Sequence, residues 1–441
     1  MKRKQLRMGA LALTMMMGGF FPSAVGSCAE LSLDEAIEMA LAQNTALKVT
    51  KKGEDTAEAK VRQAKGSNGV SASLSDNLTT RKIEGASGTN TNNLSLSGSL
   101  PIYTGGKNQA SIKSSEIGVD TARLATERGQ ENLKFSVIKA YYDALEAKKT
   151  IEVDQESVDN YQAHLTNVQQ LYSAGSKAKI DVLRSSVELS NARQTLIKAQ
   201  NSYEVKLANL RNYLNMDRDE PLTLTTDFFF ERFDTPMSEA IAYAYGNRKD
   251  LQADAYVVEQ RELDIKAAKA GFLPTVSLSV GAGQENAFGS SSSSSNNVSA
   301  GLGVSWNIFD SGVTKAKVDE AKIARDVARL NLQKDQETAD LTLRTAYYNM
   351  REAERRLDST GDAVGQAEED YYIAKEKYRA GEGLMLDIID TQLALSTAQL
   401  NHISAQYDYA RYKAEVENAM GISLTDKEQA AADRLLADEV K

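Results

Sequence analysis

The 441-residue chain is long enough for two or three ordinary domains, but only five prolines and one cysteine punctuate it. Ala, Leu, Lys, Glu, Gln and Asp fill long uninterrupted stretches, which suits long helices. A lone cysteine excludes a disulfide framework, and a formal charge of −9 speaks against a nucleic-acid partner.

The first segment reads as a leader. "MKRKQLR" is basic, "MGALALTMMMGGFF" is apolar but short for a bilayer span, Pro22 breaks it, and Ser27-Cys28-Ala29 offers a small-x-small cleavage site before Glu30. A signal peptide over 1–29 is expected. "VGSC" is also a weak lipobox, which would leave Cys28 as a lipidated first residue, and cleavage after Ala29 is the preferred reading. Loss of Lys2, Arg3, Lys4 and Arg7 takes the formal charge from −9 to −13. No later segment has the apolar run of a transmembrane helix, so an exported chain of this kind enters a membrane only as strands.

A short helix follows, with Ser32 or Asp34 before "EAIEMALAQN", then a helix of some 25 residues. The next region alternates. "NLSLSGSLPIY" places Leu94, Leu96, Gly98, Leu100 and Ile102 on one face, with small polar residues opposite. This is the pattern of a transmembrane β-barrel strand, although a half-buried sheet shares it. The polar stretch "TTRKIEGASGTNTN" is read as the loop joining this pair of strands. From Gly106 to about Tyr172 the chain lacks proline and reads as one helix, on the order of 100 Å long. It turns at Ala174-Gly175 and returns as a helix from Asp181 to Leu214. Its sparse apolar seams, such as Ile138, Tyr141 and Leu145, fit coiled-coil contacts rather than a thick core. The connector "DRDEPLTLTTDFFF", Asp217 to Phe230, reads as part of an equatorial band.

The same order then recurs. At an offset of 206, Tyr103 matches Phe309, Gly106 matches Gly312, Tyr141-Tyr142 matches Tyr347-Tyr348, and Gly175 matches Gly381. At an offset of 204, "LDEAI" matches "MSEAI", where Ser238 is the expected cap. "VSLSV" and "VSAGLGVSWNIF" are the second pair of strands, joined by "QENAFGSSSSSSNN". The period is too long for a solenoid and implies duplication. The boundaries are a first repeat, 30–230, with a hairpin at about 70–103 and a helix pair at about 106–214. A second repeat, 231–425, has a hairpin at about 274–309 and a helix pair at about 312–420, and a tail follows, 426–441. The expected fold is mainly α with a small antiparallel β part. Four strands leave two open edges that a membrane does not tolerate, so copies must close the sheet. Two copies give eight strands and a filled interior, and three give twelve and a lumen.

"LSLDEAIEMALAQN", "LPIYTGGK", "WNIFDSGVTKA" and "YRAGEGLMLDIIDTQLAL", in this order and within a duplicated chain, resemble the TolC family of outer-membrane efflux proteins. The resemblance covers roughly 30–425. It implies a homotrimer whose twelve-stranded barrel sits in outer-membrane lipid, with an α-helical barrel crossing the periplasm. It also implies a periplasmic adaptor and an inner-membrane transporter as partners, for drug efflux, metal efflux or type I secretion. Under it, Asp387 and Asp390 match the acidic pair at the periplasmic aperture, each forming a ring of three carboxylates. Pattern alone allows both to be first-turn carboxylates that complement the helix dipole. In the first repeat Asp181 matches Asp387, but Arg184 stands in place of Asp390. Tyr378 and Asp181 match the network that holds the tip closed. The basic partner expected two residues after Gly381 is Gly383, which leaves Lys177, Lys179 and Arg379 as replacements. Gly175 and Gly381 mark the turns where the adaptor would dock.

No enzyme is expected. His164 and His402 read as lone surface residues on helices, no metal or other cofactor is called for, and no Walker loop, nucleophile elbow or nicotinamide fingerprint has its required context. Two alternatives remain, a periplasmic coiled-coil scaffold that is not a channel and, more weakly, a hydrolase with its site on the 217–230 connector.

Overall fold

The computed structural model describes residues 29–82, 84, 88–218, 220–289 and 292–437. Apart from Ala29, the expected leader with Cys28 lies outside them. After β1 (Ala29–Leu31), α1 (Leu33–Gln43) starts on a capping box. Ser32 Oγ accepts from the Glu35 amide at 3.3 Å, and the Glu35 carboxylate accepts from the Ser32 amide at 2.9 Å. Asn44 ends α1 and caps α2 (Thr45–Gly66), its Oδ1 accepting from the amides of Ala46 and Leu47. The second repeat opens differently from expectation. Pro236, with φ −65°, is the N-cap of α5 (Met237–Asn247), so Ser238 falls inside the first turn rather than capping it. Proline has the entry φ built in and needs no side-chain cap. Helix α6 (Lys249–Lys269) and a single 3-10 turn then lead to the second pair of strands.

Strands β2 (Ser71–Arg81), β3 (Thr89–Tyr103), β5 (Thr275–Gly289) and β6 (Ser293–Ser305) form one antiparallel sheet in the order β2-β3-β5-β6. The two repeats therefore join through β3 and β5. Register puts Leu74 opposite Leu96, Leu96 opposite Ala282, and Ala282 opposite Val298, so one face is apolar across all four strands. The other carries Ser73, Ser97, Gly281 and Ser299 in one row, with hydroxyls of Ser73 and Ser97 2.8 Å apart. Period two explains both faces. It fails at one place. A bulge between Pro101 and Tyr103 skips Ile102 and puts Tyr103, not Ile102, opposite Val276. Proline cannot donate to the ladder, and a bulge is where a central strand accommodates it. The stretches expected to be loops are also largely strand, since β2 and β3 run to Arg81 and from Thr89, and β5 and β6 to Gly289 and from Ser293. Apart from Ala287 and Phe288 these strand ends are polar or glycine on both faces, and the ladder pairs the backbone.

Helix α3 (Lys107–Ser173) has 67 residues and α7 (Val313–Ala380) has 68. Each spans about 100 Å at ~1.5 Å per residue. Both begin at a glycine with φ 87°, Gly106 and Gly312, a conformation that glycine adopts without strain. The chain returns in α4 (Lys179–Leu214) and α8 (Met385–Met420).

The main apolar core sits near the middle of the long helices. Leu41, Tyr141, Leu210, Leu214 and Tyr407 pack there, joined by β4 (Leu222–Leu224), which pairs in parallel with β1. The repeat is visible in its bonding. Tyr141 donates to the Leu31 carbonyl at 2.9 Å, and its counterpart Tyr347 donates to the Thr235 carbonyl at 3.3 Å. A charged cluster ties the pairs together beside this core. Arg411 of α8 binds Asp143 (2.8 Å) and Glu146 (2.5 Å) of α3 and Asp408 (2.6 Å), which also receives Arg356 of α7 at 2.7 Å. The tail carries a further helix, α9 (Asp426–Ala437), whose Ala431 and Ala432 join the same core.

Candidate functional site

The far ends of the two helix hairpins, opposite the sheet, converge on one another. Each hairpin reverses at a left-handed glycine, Gly175 with φ 76° and Gly381 with φ 82°. The two turns then close in similar ways. The Ser176 amide donates to the Leu171 carbonyl at 2.9 Å, and the amides of Glu382 and Gly383 both donate to the Lys377 carbonyl, at 3.0 and 3.1 Å. Gly383 lies so close to the end of α7 that an added Cβ would stand 2.8 Å from the Tyr378 amide nitrogen. That contact is with backbone, which cannot swing aside, so the position excludes the basic side chain that the resemblance calls for.

The basic residue is present on the other hairpin. Lys177 stands two residues after Gly175, the position that matches Gly383 across the repeat. Its ammonium sits 4.4 Å from the centre of the Tyr378 ring, within the range of a cation–π contact. Tyr378 is 1% exposed and packs with Val168 of α3 and with Met385 and Ile388 of α8. The ring of His164 lies 5.2 Å from that of Tyr378, tilted by 58°. Two cationic or aromatic groups from the first hairpin thus hold one tyrosine of the second.

The polar atoms at this contact are unusual. The Tyr378 hydroxyl and the His164 Nε2 are both buried with no hydrogen-bond partner. Burial raises the tyrosine's pKa, with a smaller push from the Asp181 carboxylate. Burial likewise lowers that of His164, which keeps the imidazole neutral. His164 is 8% exposed, which corrects its reading as a surface residue. The flanking polar residues mark a helix surface, but α7 covers that surface at the tip. His402 differs, since its Nδ1 lies 3.1 Å from the Thr360 hydroxyl and its Nε2 3.1 Å from Gln406.

The acidic residues lie at the starts of the return helices. Asp181 Oδ2 accepts from the Ala178 amide at 3.3 Å, and Asp387 Oδ2 accepts from the Leu384 amide at 3.0 Å. Each satisfies an amide that the helix leaves open. Asp387 retains a second carboxylate oxygen, and both Asp387 and Asp390 are exposed. Asp390 adds to the charge that, after burial and Glu188, holds the Tyr161 phenol up at about 12. Arg379 pairs with Glu376 at 2.9 Å on its own helix rather than with the first hairpin. Lys177 is one of the three replacements named from the sequence, and its place in the repeat singles it out; His164 gives no local signal.

An amphipathic sheet at one end and long paired helices whose turns converge at the other make up this fold. Solved structures carry the same fold. The Campylobacter jejuni CmeC outer membrane channel superposes with a TM-score of 0.79 at 19% identity, covering 91% of this chain and 89% of that one. The sequence model of the outer membrane efflux protein family matches residues 36–216 and 240–422, and the chain belongs to that family. Relatives include the outer membrane efflux protein BepC of Brucella suis biovar 1, 21% identical over 327 residues, 74% of this chain and 71% of BepC. The toluene efflux pump outer membrane protein TtgC of Pseudomonas putida is 26% identical over 303 residues, 66% of this chain and 58%, under two thirds, of TtgC. The family places this protein in the outer membrane. Among the described residues no helix is long and apolar enough to cross a membrane.

Proposed function

We propose that three copies of this chain close a twelve-stranded barrel in the outer membrane and form the exit duct of a tripartite efflux or secretion system. The sheet carries this reading. It has one apolar face, one face of Ser, Thr, Asn and Gly, and no partner within the described chain on the outer edges of β2 and β6. Val280, Leu302 and Val304 are more than half exposed, as lipid-facing residues of an isolated subunit would be. The hydroxyl face suits a water-filled lumen. The apolar belt thins at a row of Asp76, Leu94, Gln284 and Asn296 on the same face, beyond which Leu78 and Phe288 are its large apolar residues among those described. At its other end Tyr103, Phe272, Trp306 and Phe309 are exposed near the helices, where an interfacial girdle belongs.

A duct of this kind has no energy source of its own. A periplasmic adaptor and an inner-membrane transporter supply cargo and energy, with the turns at Gly175 and Gly381 as docking points. BepC and TtgC carry efflux in their names, which favours efflux of small molecules over protein secretion. Asp387 and Asp390, three residues apart on an exposed face, form two carboxylate rings at the constriction of the trimer. Asp387 also caps its helix through one oxygen, and the two roles are compatible.

The test is the state of the protein extracted from outer membranes in mild detergent. Sedimentation equilibrium at a mass of three protomers supports the duct. A stable monomer that is released without detergent contradicts it and leaves the scaffold.

A further inference from the structure

His164 is not among the residues by which the resemblance closes the tip, and Lys177 enters there only as one of three replacements for its missing base, yet both touch the tyrosine at its centre. We propose that they are its positioning residues, and that His164 makes the contact between the two hairpins sensitive to protons, holding it shut while neutral and parting it when charged. The inference rests on the proposed duct only in naming this end the gate.

The argument is geometric. The His164 Nε2 is sealed from water and has no acceptor. A proton placed there adds a charge in a dry contact with nothing to receive its N–H. The surrounding groups make this worse. Helix α7 presents Tyr371, Lys375, Tyr378 and Arg379 to the cavity of about 280 Å³ that His164 lines. The turn between α3 and α4 brings the Lys177 ammonium onto the Tyr378 ring as well. From α4 the nearest acid is Asp181, whose charge reaches the Tyr378 phenol but whose Oδ2 is engaged by the Ala178 amide. Helix α8 packs here through Met385 and Ile388, and its carboxylates, Asp387 and Asp390, are exposed. An imidazolium at 164 would thus stand near Lys177, Lys375 and an Arg379 already paired with Glu376, and among the described residues no carboxylate is in hydrogen-bond contact with it. Parting the hairpins hydrates it.

The direction follows from linkage. Burial lowers the pKa of His164 in the closed tip, and in a parted tip it returns to the ordinary value of about 6.5. Closure is therefore undiminished above about pH 6.5. Below that it weakens by up to about tenfold per pH unit and protomer, until the pH passes the lowered value.

The test reads the tip directly, whether or not the assembly conducts. Spin labels are placed at Ser173→Cys and Glu382→Cys, both exposed at the turns, in full-length protein carrying Cys28→Ala. The label-to-label distance is measured by pulsed electron resonance at about pH 7.5 and about pH 5.5, on either side of the ordinary imidazole value. The expected result is a shift to longer and broader distances at the lower pH. His164→Phe, which keeps a ring against Tyr378, and His164→Gln both abolish the shift. A distance that does not change with pH in the unsubstituted protein overturns the proposal, as does the same shift in both variants.

Discussion

At Tyr378 the ring carries the contact and the hydroxyl does not. The phenol oxygen has no partner, so Tyr378→Phe should leave the closed tip within about 0.5 kcal/mol of its present stability. Tyr378→Ala removes the surface that Lys177, His164, Val168 and Ile388 share, a loss of about 3–5 kcal/mol of packing. Single-channel recording separates the two: phenylalanine is expected to match the wild type and alanine to raise open probability. Equal effects of both would return the role to the hydroxyl. The acidic pair was read as a gate through the family resemblance, since spacing alone fits two first-turn carboxylates equally well. The burial of His164 was not legible, because it depends on a helix more than 200 positions away in the chain. Gly383 explains why the expected basic residue is missing, and only the close approach of its backbone to Tyr378 shows it.

The long helices were readable because nothing interrupts them: α3 and α7 lack proline and end at glycines that the repeat aligns. The strands were readable where lipid demands alternation and unreadable where both faces are polar, as in Ser293 to Asn297. Arg411 could not be found from sequence, because its partners Asp143 and Glu146 lie on another helix. Its side chain is 14% exposed and bound to three carboxylates. Arg411→Ala leaves Glu146 without its cation and Asp408 and Asp143 with Arg356 and Lys206 alone, and should destabilise the helix bundle by up to about 3 kcal/mol, read as a lower midpoint in thermal unfolding. The pH window of this clamp differs from that of the tip. Burial alone would raise Asp408, but hydrogen bonds from Arg411 and Arg356 prevail and hold it below its ordinary 3.8. Its contribution is therefore complete at neutral pH and is lost only below about pH 4. Far-ultraviolet circular dichroism should show the bundle intact at about pH 5.5, well above that carboxylate range, where closure of the tip is already weakened.

Across the whole molecule, one sheet face must meet lipid and the other water. Leu302→Arg, on the apolar face level with Leu278 and Leu100, should lose about 2–4 kcal/mol of membrane stability and yield little assembled protein. Ser279→Arg, one position along on the hydroxyl face, should assemble normally and narrow the lumen. Outer-membrane yield of the two variants orders the faces. The central claim is a duct whose constriction is ringed by Asp387 and Asp390, and conductance in a planar bilayer tests it most directly. The account predicts a small, cation-selective conductance that multivalent cations block, with the block lost in the Asp387→Ala/Asp390→Ala double variant. A trimer that conducts with unchanged selectivity and block after that substitution would contradict it and place the constriction elsewhere.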